Sequence, residues 1–295
     1  MRLTYFVLAA GIATLPLHAV TIQVVPKGTT ETAPITLDDE RDGLIVEKGG
    51  AIEVTDEEAA VNIEASEQFV ENNGRITTTS GTGFFTLGIS NLGNAQGVFT
   101  NNGLIEATGT DGTGAEAIFN GEGADDAVIT NSGEIRATSG SSFALGILND
   151  NADDAVITNS GLIETIAENP GLSIGIQSQN STNTQIINSG TIIAKSNEGL
   201  GFAISFFDSN PTLTLLRGSN LQGQVFSRDD PLNLNVETGL NLALTLNSAG
   251  MSFGELGIEA PFVRVGDVVG VIDPTGLAMQ VDVLADLSDT ILSDI

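Results

Sequence analysis

The sequence predicts an all-β chain, a right-handed parallel β-helix (solenoid) with three strands per coil and a short C-terminal helix. Two series of residues with a common spacing carry this prediction. One is the glycine of an Asn-x-Gly phrase, with spacings of 29, 30, 28 and 29, at Gly74, Gly103, Gly133, Gly161 and Gly190. The other is an isoleucine after glycine or alanine, with spacings of 29, 29, 29 and 28, at Ile89, Ile118, Ile147, Ile176 and Ile204. A period of this length is typical of a solenoid.

Each repeat contains three short runs rich in β-formers, separated by Gly, Asn, Ser and Asp. In one repeat they are residues 127–130, 133–137 and 143–147. No helical periodicity lies between them, so each repeat is predicted to be one coil of three strands.

Alternation along the strands predicts which side chains form the core. In the second strand Ile135 and Ala137 should point inward, while Glu134 and Arg136 should be solvated. The third strand carries alternating apolar residues that are also expected to face inward: Phe85, Leu87 and Ile89; Phe143, Leu145 and Ile147; Leu172, Ile174 and Ile176; Leu200, Phe202 and Ile204. Glu116 interrupts this series, and a bulge or a turn toward solvent is expected there because an unpaired buried carboxylate is costly.

The asparagine of the repeated phrase should stack on itself at one corner of successive coils. Its members are Asn72, Asn101, Asn131, Asn159 and Asn188. Such amide ladders satisfy polar groups that a turn would otherwise leave without partners. The glycine two residues later is expected to supply a positive φ. Both roles are structural.

The two ends differ from the repeats. Residues 1–19 read as a signal peptide, with Arg2, an apolar run over 6–17 and a small-residue exit at Ala19. Residues 20–70 are expected to form an acidic N-terminal β cap or first coils, and residues 71–250 the β-helix with repeats of about 29 residues. Residues 251–295 are expected to form a linker that ends in a helix from about Pro274 to Ser293.

Composition excludes several kinds of function. The 295 residues carry a net charge of −28, which argues against nucleic acid as a partner. There is no cysteine, and the single histidine, His18, lies in the predicted signal peptide. A Ser-His-Asp triad, a Cys-His pair and a histidine metal site are therefore excluded from the mature chain. The mature chain has no predicted transmembrane segment, and we expect a monomer.

Three stretches resemble the passenger region of type V autotransporters of Gram-negative bacteria. They are the Asn-Ser-Gly-x-Ile repeats, the block Leu-Arg-Gly-Ser-Asn-Leu-Gln-Gly at 216–223, and Val-Val-Gly-Val-Ile-Asp-Pro-Thr-Gly-Leu-Ala at 268–278 followed by Leu-Ala-Asp-Leu at 284–287. The resemblance implies export through the inner membrane, a C-terminal β-barrel in the outer membrane and display outside the cell. That barrel is expected but absent from this chain, which ends at Ile295. The expected location is the cell surface or the exterior if a barrel is supplied, and otherwise the periplasm.

Two acidic pairs are the best candidates for chemistry. Asp125-Asp126 and Asp153-Asp154 recur in Ala-Asp-Asp-Ala-Val-Ile-Thr and should stack one coil apart. Paired carboxylates can hydrolyse glycosides, and their oxygens suit calcium. However, the motifs of pectin-degrading β-helices are missing, and the neighbouring coils break the acidic column. We therefore predict solvated turn residues, with no catalytic, cofactor-binding or metal-binding residue assigned, and leave calcium binding at these four residues open.

A charged column is predicted on the outer face of the second strand. Glu106, Arg136 and Glu164 should alternate in sign along it and fix the register of the coils. The predicted function is a secreted or surface-displayed, non-enzymatic scaffold for adhesion or interaction, whose extracellular ligand the sequence does not specify. The alternative is a β-helical polysaccharide hydrolase or lyase.

Overall fold

The computed structural model describes residues 2–5, 20–81, 83, 85–93, 95–140, 142–168, 171–197, 199–228, 231–246, 253–258, 261–265 and 268–271. Every regular element within these ranges is a β-strand, and parallel strands build a solenoid with three strands per coil. The predicted fold class is confirmed. The predicted C-terminal helix, and Met1 and residues 6–19 of the predicted signal peptide, lie outside the described residues.

The strands follow one another at short intervals along the chain. The first ten are β1 (Arg2–Tyr5), β2 (Val20–Val25), β3 (Thr30–Glu31), β4 (Ile35–Leu37), β5 (Gly43–Val46), β6 (Ala51–Thr55), β7 (Ala59–Ile63), β8 (Phe69–Asn72), β9 (Arg75–Ser80) and β10 (Phe85–Asn91). The next ten are β11 (Val98–Asn101), β12 (Leu104–Gly109), β13 (Gly114–Asn120), β14 (Val128–Asn131), β15 (Glu134–Ser139), β16 (Ala144–Asp150), β17 (Val156–Asn159), β18 (Leu162–Ala167), β19 (Ser173–Thr182) and β20 (Gln185–Asn188). The last ten are β21 (Thr191–Ser196), β22 (Gly201–Ser209), β23 (Thr212–Leu215), β24 (Asn220–Gln222), β25 (Gln224–Ser227), β26 (Leu232–Val236), β27 (Leu242–Thr245), β28 (Phe253–Ile258), β29 (Phe262–Val265) and β30 (Val268–Val271).

Each coil gives one strand to each of three parallel sheets. Sheet A has the order β1-β2-β5-β8-β11-β14-β17-β20-β23-β26-β28, sheet B runs from β3 through β6, β9, β12, β15, β18 and β21 to β24, and sheet C runs from β4 through β7, β10, β13, β16, β19 and β22 to β25. Strand β1 pairs with β2 in the antiparallel sense. A separate antiparallel sheet, β27-β30-β29, lies at the C-terminal end of the described residues. Residues 20–70 thus form the first coils of the same solenoid.

The core lies inside the coils as columns of identical or similar side chains. In sheet B, Ile76, Ile105, Ile135, Ile163 and Ile192 stack in register and are at most 1% exposed. The inward prediction for Ile135 and Ala137 is confirmed. Stacking in parallel register places each side chain on its equivalent about 4.8 Å away, so a repeated sequence packs its core by repetition.

The predicted asparagine ladder is confirmed. Each Nδ2 donates to the Oδ1 of the next coil at 2.7–2.8 Å, through Asn72, Asn101, Asn131, Asn159 and Asn188. A second ladder, which the sequence analysis missed, joins Asn91, Asn120 and Asn149 at 2.6 Å. All of these asparagines are buried, so the ladders pair amide groups that water cannot reach, except the Oδ1 of Asn91 at the start of the second ladder, which has no hydrogen-bond partner among the described residues.

The prediction of a positive φ for the glycines of the repeated phrase is wrong. Neither Gly103 nor Gly133 is among the glycines with positive φ. Instead, a Cβ on Gly133 would collide with the backbone oxygen of Gly103, and one on Gly161 with that of Gly133. Glycine is required here because successive coils approach backbone to backbone.

The charged column has the predicted register but different ion pairs. Arg136 is aligned with Glu106 on one side and Glu164 on the other. However, its guanidinium pairs at 2.9 Å with Glu134 of its own strand, and Glu164 pairs at 2.8 Å with Lys195 of the next coil. Within the described ranges no helix is long and apolar enough to cross a membrane.

Candidate functional site

The strands of sheet C bend, and the bend turns part of their apolar surface outward. Ala117 and Ile118 are neighbours in sequence, yet both are fully buried in the main core. Ala203 and Ile204 repeat this arrangement. Two consecutive inward residues break the alternation, so residues before the bend face the side opposite to the one that a regular strand predicts.

The prediction that three apolar residues per strand face the core is therefore correct only for the last residue of each set, which is Ile89, Ile147, Ile176 or Ile204. Leu145, Ile174 and Phe202 form a separate cluster outside the main core. The first residue of each set is substantially exposed in three of the four sets: 37% for Phe85, 46% for Phe143 and 54% for Leu200.

These outward residues line an open groove of about 760 Å³ on the outer face of sheet C. Ten of its sixteen lining residues are apolar: Phe85, Phe143, Leu145, Leu148, Leu172, Ile174, Leu200, Phe202, Phe207 and Phe226. The others are Glu116, Gln177, Gln179, Asn180, Ser205 and Arg228.

The groove follows the solenoid axis because its floor is a column of residues in register. Glu116 is aligned with Leu145, Leu145 with Ile174, and Ile174 with Phe202. Strand β25, which precedes Arg228, is one coil further along. From Phe85 on β10 to Arg228, five coil steps of about 4.8 Å give a groove roughly 24 Å long.

Glu116 lies at one end of this floor, and the predicted bulge or turn toward solvent is wrong. Its register with Leu87 and Leu145 is unshifted, and the residue is 4% exposed. Burial raises the pKa of Glu116 to about 8, and the negative charge of Asp150 adds to the rise. The carboxyl is therefore protonated at neutral pH, which avoids the cost of a buried charge that led us to expect a bulge.

Arg228 lies at the opposite end, with its guanidinium carbon 5.8 Å from the centre of the Phe207 ring. Glu116 and Arg228 are the two ionisable residues among the described lining. On a chain with a net charge of −28, the groove is thus an uncharged strip between one protonated acid and one base.

The acidic pairs predicted as the best candidates for chemistry lie elsewhere. Asp125, Asp126, Asp153 and Asp154 are exposed in the turns between sheets C and A, outside the groove lining. A carboxylate oxygen of Asp125 accepts the backbone N–H of Asp153 at 2.8 Å, and one of Asp153 accepts that of Thr182 at 2.7 Å. Asp126 and Asp154 have φ of 57° and 56°. Both features serve the turns, because aspartate tolerates this backbone region and caps nearby N–H groups.

Two other acidic groups, Asp208 and the cluster Asp38, Asp39 and Asp42, also lie outside the groove lining. Asp208 is buried, and burial raises its pKa to about 6 although the backbone N–H of Ser181 donates to its Oδ1 at 3.3 Å. The hydroxyls of Ser178 and Thr184 lie beside its carboxyl, and it is not among the described residues that line the groove. Asp38, Asp39 and Asp42 have carboxylate oxygens within 4.8 Å of one another, a spacing that could hold a metal ion. An oxygen of Asp42 already accepts the N–H of Thr21 at 2.8 Å.

A signal for the groove was present in the sequence. A glycine or alanine precedes each isoleucine of the series that repeats every 28 or 29 residues. These small residues are Gly88, Ala117, Gly146, Gly175 and Ala203. A Cβ on Gly146 would press on the side chain of the core residue Ile163, so this small residue faces inward together with its isoleucine. Such a column of small residues indicates a bend and an outward apolar strip.

Comparisons with protein families, with curated proteins and with solved structures found no match.

Proposed function

We propose that this chain is an exported, non-enzymatic β-solenoid that binds an extracellular or cell-surface partner, in the manner of an autotransporter passenger. Export is supported by the signal-like residues 1–19, and the passenger role by the repeated phrase and by residues 268–278. Fold alone does not define function, so the proposal depends on a site.

The groove on sheet C is the observation that carries the binding role. Its volume of about 760 Å³ lies within the range of ligand sites, about 300–1,000 Å³. Phe143 and Leu200 are about half exposed on its rim, which gives a partner apolar surface to cover. Because the floor is in register over several coils, the groove is a rigid, preformed surface.

One observation favours the alternative of a polysaccharide hydrolase or lyase. Glu116 holds a proton at neutral pH, as a general acid must. Glycoside hydrolysis by the usual route needs a second carboxylate about 5–9 Å away. Asp150 acts electrostatically on Glu116, but it is not among the described residues that line the groove, where Glu116 is the one acidic residue. Binding without catalysis therefore agrees better with the groove.

Export can be tested directly. We expect the chain, expressed with its own N-terminus in a Gram-negative host, to leave the cytoplasm and to begin at Val20. N-terminal sequencing and mass spectrometry of cell fractions measure both. A full-length chain that starts at Met1 and stays in the cytoplasm would overturn the exported role.

The binding role is tested on arrays of extracellular matrix proteins, glycans and amphiphiles. Replacing the rim residue Leu200→Glu should abolish retention on the ligand that the unaltered chain selects, because it places a charge in the apolar strip. Val128→Glu is the matched control, since Val128 is 38% exposed outside the groove.

Chromatography of the glycans after incubation separates binding from catalysis. We expect no shortened products from the unaltered chain. If products form, Glu116→Gln and the fourfold Asp→Asn change at 125, 126, 153 and 154 show which carboxylates are required. Cleavage that Glu116→Gln abolishes would replace the scaffold with the enzyme.

A further inference from the structure

Glu116 is a buried acid without a charged partner at the end of an accessible groove. It is 4% exposed, and its neighbours in the sheet are Leu87 and Leu145. None of the ion pairs among the described residues includes it. The two influences on its pKa, burial and Asp150, both disfavour the charged form. A cation placed beside it would be favoured by both carboxyl groups.

The surroundings of Glu116 suit a cation with an apolar body. Gly114 lies two residues earlier on the same strand, in register with Phe85. Phe143 is the equivalent residue of the next coil, since its carbonyl accepts the N–H of Ala115. In the coil of Glu116 the rim position is therefore a glycine without a side chain, and the two adjacent coils each place a phenyl ring at that position. Aromatic faces attract cations, and do so more strongly when water is excluded.

The charges of the groove and of the whole chain select the sign of the ligand. A net charge of −28 attracts cations and repels anionic amphiphiles. Arg228, the other ionisable residue of the described lining, lies four coils from Glu116. Between them the floor is apolar, formed by Leu145, Ile174 and Phe202. The ligand that fits this charge and this floor has one cationic group, which lies at Glu116, and an uncharged aliphatic chain, which lies along the floor.

We propose that the groove binds a primary alkylamine, with its ammonium group at Glu116 between Phe85 and Phe143 and its aliphatic chain over Leu145, Ile174 and Phe202. This ligand class rests on the proposed binding function of the same groove. Binding converts the protonated carboxyl of Glu116 to a carboxylate that pairs with the ammonium, and the displaced proton goes to the buffer. Asp150 faces the same group, and Arg228 is too distant to pair with it.

The experiment is isothermal titration of the full chain with decylammonium chloride below its critical micelle concentration. We expect saturable binding at pH 7, with about one proton released per amine, measured in buffers of different ionisation enthalpy. Affinity should rise up to about fourfold per methylene from butylammonium to decylammonium, as each added group is buried on the floor. Decanoate should bind much more weakly.

Variants separate the head group from the tail. Glu116→Gln should weaken decylammonium binding about tenfold or more and abolish proton release, whereas Glu122→Gln, which removes an exposed acid outside the groove, should change neither. Phe143→Leu at the half-exposed rim should weaken binding while proton release persists. Circular dichroism establishes that each variant is folded.

The outcomes distinguish the ligand class from the groove's role. If decanoate or uncharged decanol binds as well as decylammonium, or if Glu116→Gln binds the amine normally, the amine assignment is overturned and the groove remains a binding site. If none of the three binds, and Leu200→Glu also leaves retention on the array unchanged, the binding function itself is overturned.

Discussion

At the scale of single residues, Glu116 makes the stability of the fold depend on pH. Its folded pKa of about 8 is raised above the ordinary value of 4.5, so between these values the folded chain holds a proton that the unfolded chain has lost. Stability should therefore fall as pH rises from about 4.5 to about 8, by at most about 1.4 kcal/mol per pH unit from this group. Asp208 acts in the same direction up to about pH 6. Urea unfolding at pH 6 and pH 8 measures the difference.

Glu116→Gln provides the control for this pH dependence. Glutamine has nearly the same shape and stays neutral, so the variant should lose most of the decline between pH 6 and pH 8 and be more stable than the unaltered chain at pH 8. Glu122→Gln, an exposed substitution, should keep the decline. An unchanged decline in Glu116→Gln would show that another group is responsible.

At the scale of the repeated element, the glycine of each Asn-x-Gly phrase limits how closely coils stack. Gly133→Ala should destabilise the chain by about 1–3 kcal/mol, because its Cβ would meet the backbone of Gly103 and Asn102, which cannot move aside without separating two coils. Thermal unfolding followed by circular dichroism measures the effect. Gly140→Ala is the matched control: the nearest atom to its Cβ is 4.0 Å away, so it should be neutral or slightly stabilising. Equal stability of the two variants would contradict the close-approach explanation.

The strands of the repeated coil show what periodicity in a sequence can and cannot predict. Strand number, the asparagine ladder and the inward Ile135 follow from spacing and alternation, because both are properties of a regular strand. The groove could not be predicted this way. It arises where Ala117 and Ile118 both point inward, and a strict two-residue period then assigns Leu145 and Phe143 to the wrong face. Glu116 differs from its prediction for a further reason: the expected bulge rests on the cost of burying a carboxylate, whereas the raised pKa keeps the buried group a neutral carboxylic acid.

At the scale of the whole molecule, 38 acidic and 10 basic residues make repulsion the dominant long-range electrostatic effect. Raising NaCl from about 10 mM to about 150 mM shortens the Debye length from about 30 Å to about 8 Å. We expect the melting temperature to rise at pH 7, because screening weakens repulsion in the compact state more than it weakens exposed ion pairs such as Arg41–Glu67. The fourfold Asp→Asn change in the turns lowers the net charge from −28 to −24, so it should reduce the salt dependence.

Divalent ions extend this test to the turn aspartates. If Asp125, Asp126, Asp153 and Asp154 serve the turns alone, CaCl2 and MgCl2 at equal ionic strength should raise the melting temperature equally, because both ions only screen charge. A calcium site would stabilise the fold by an amount that grows with the logarithm of the calcium concentration, and the Asp→Asn variant would lose it. The asparagine side chains keep an oxygen that can accept the N–H groups of Asp153 and Thr182, so the turns should survive the substitution. A calcium-specific rise that this variant abolishes would therefore identify an ion site.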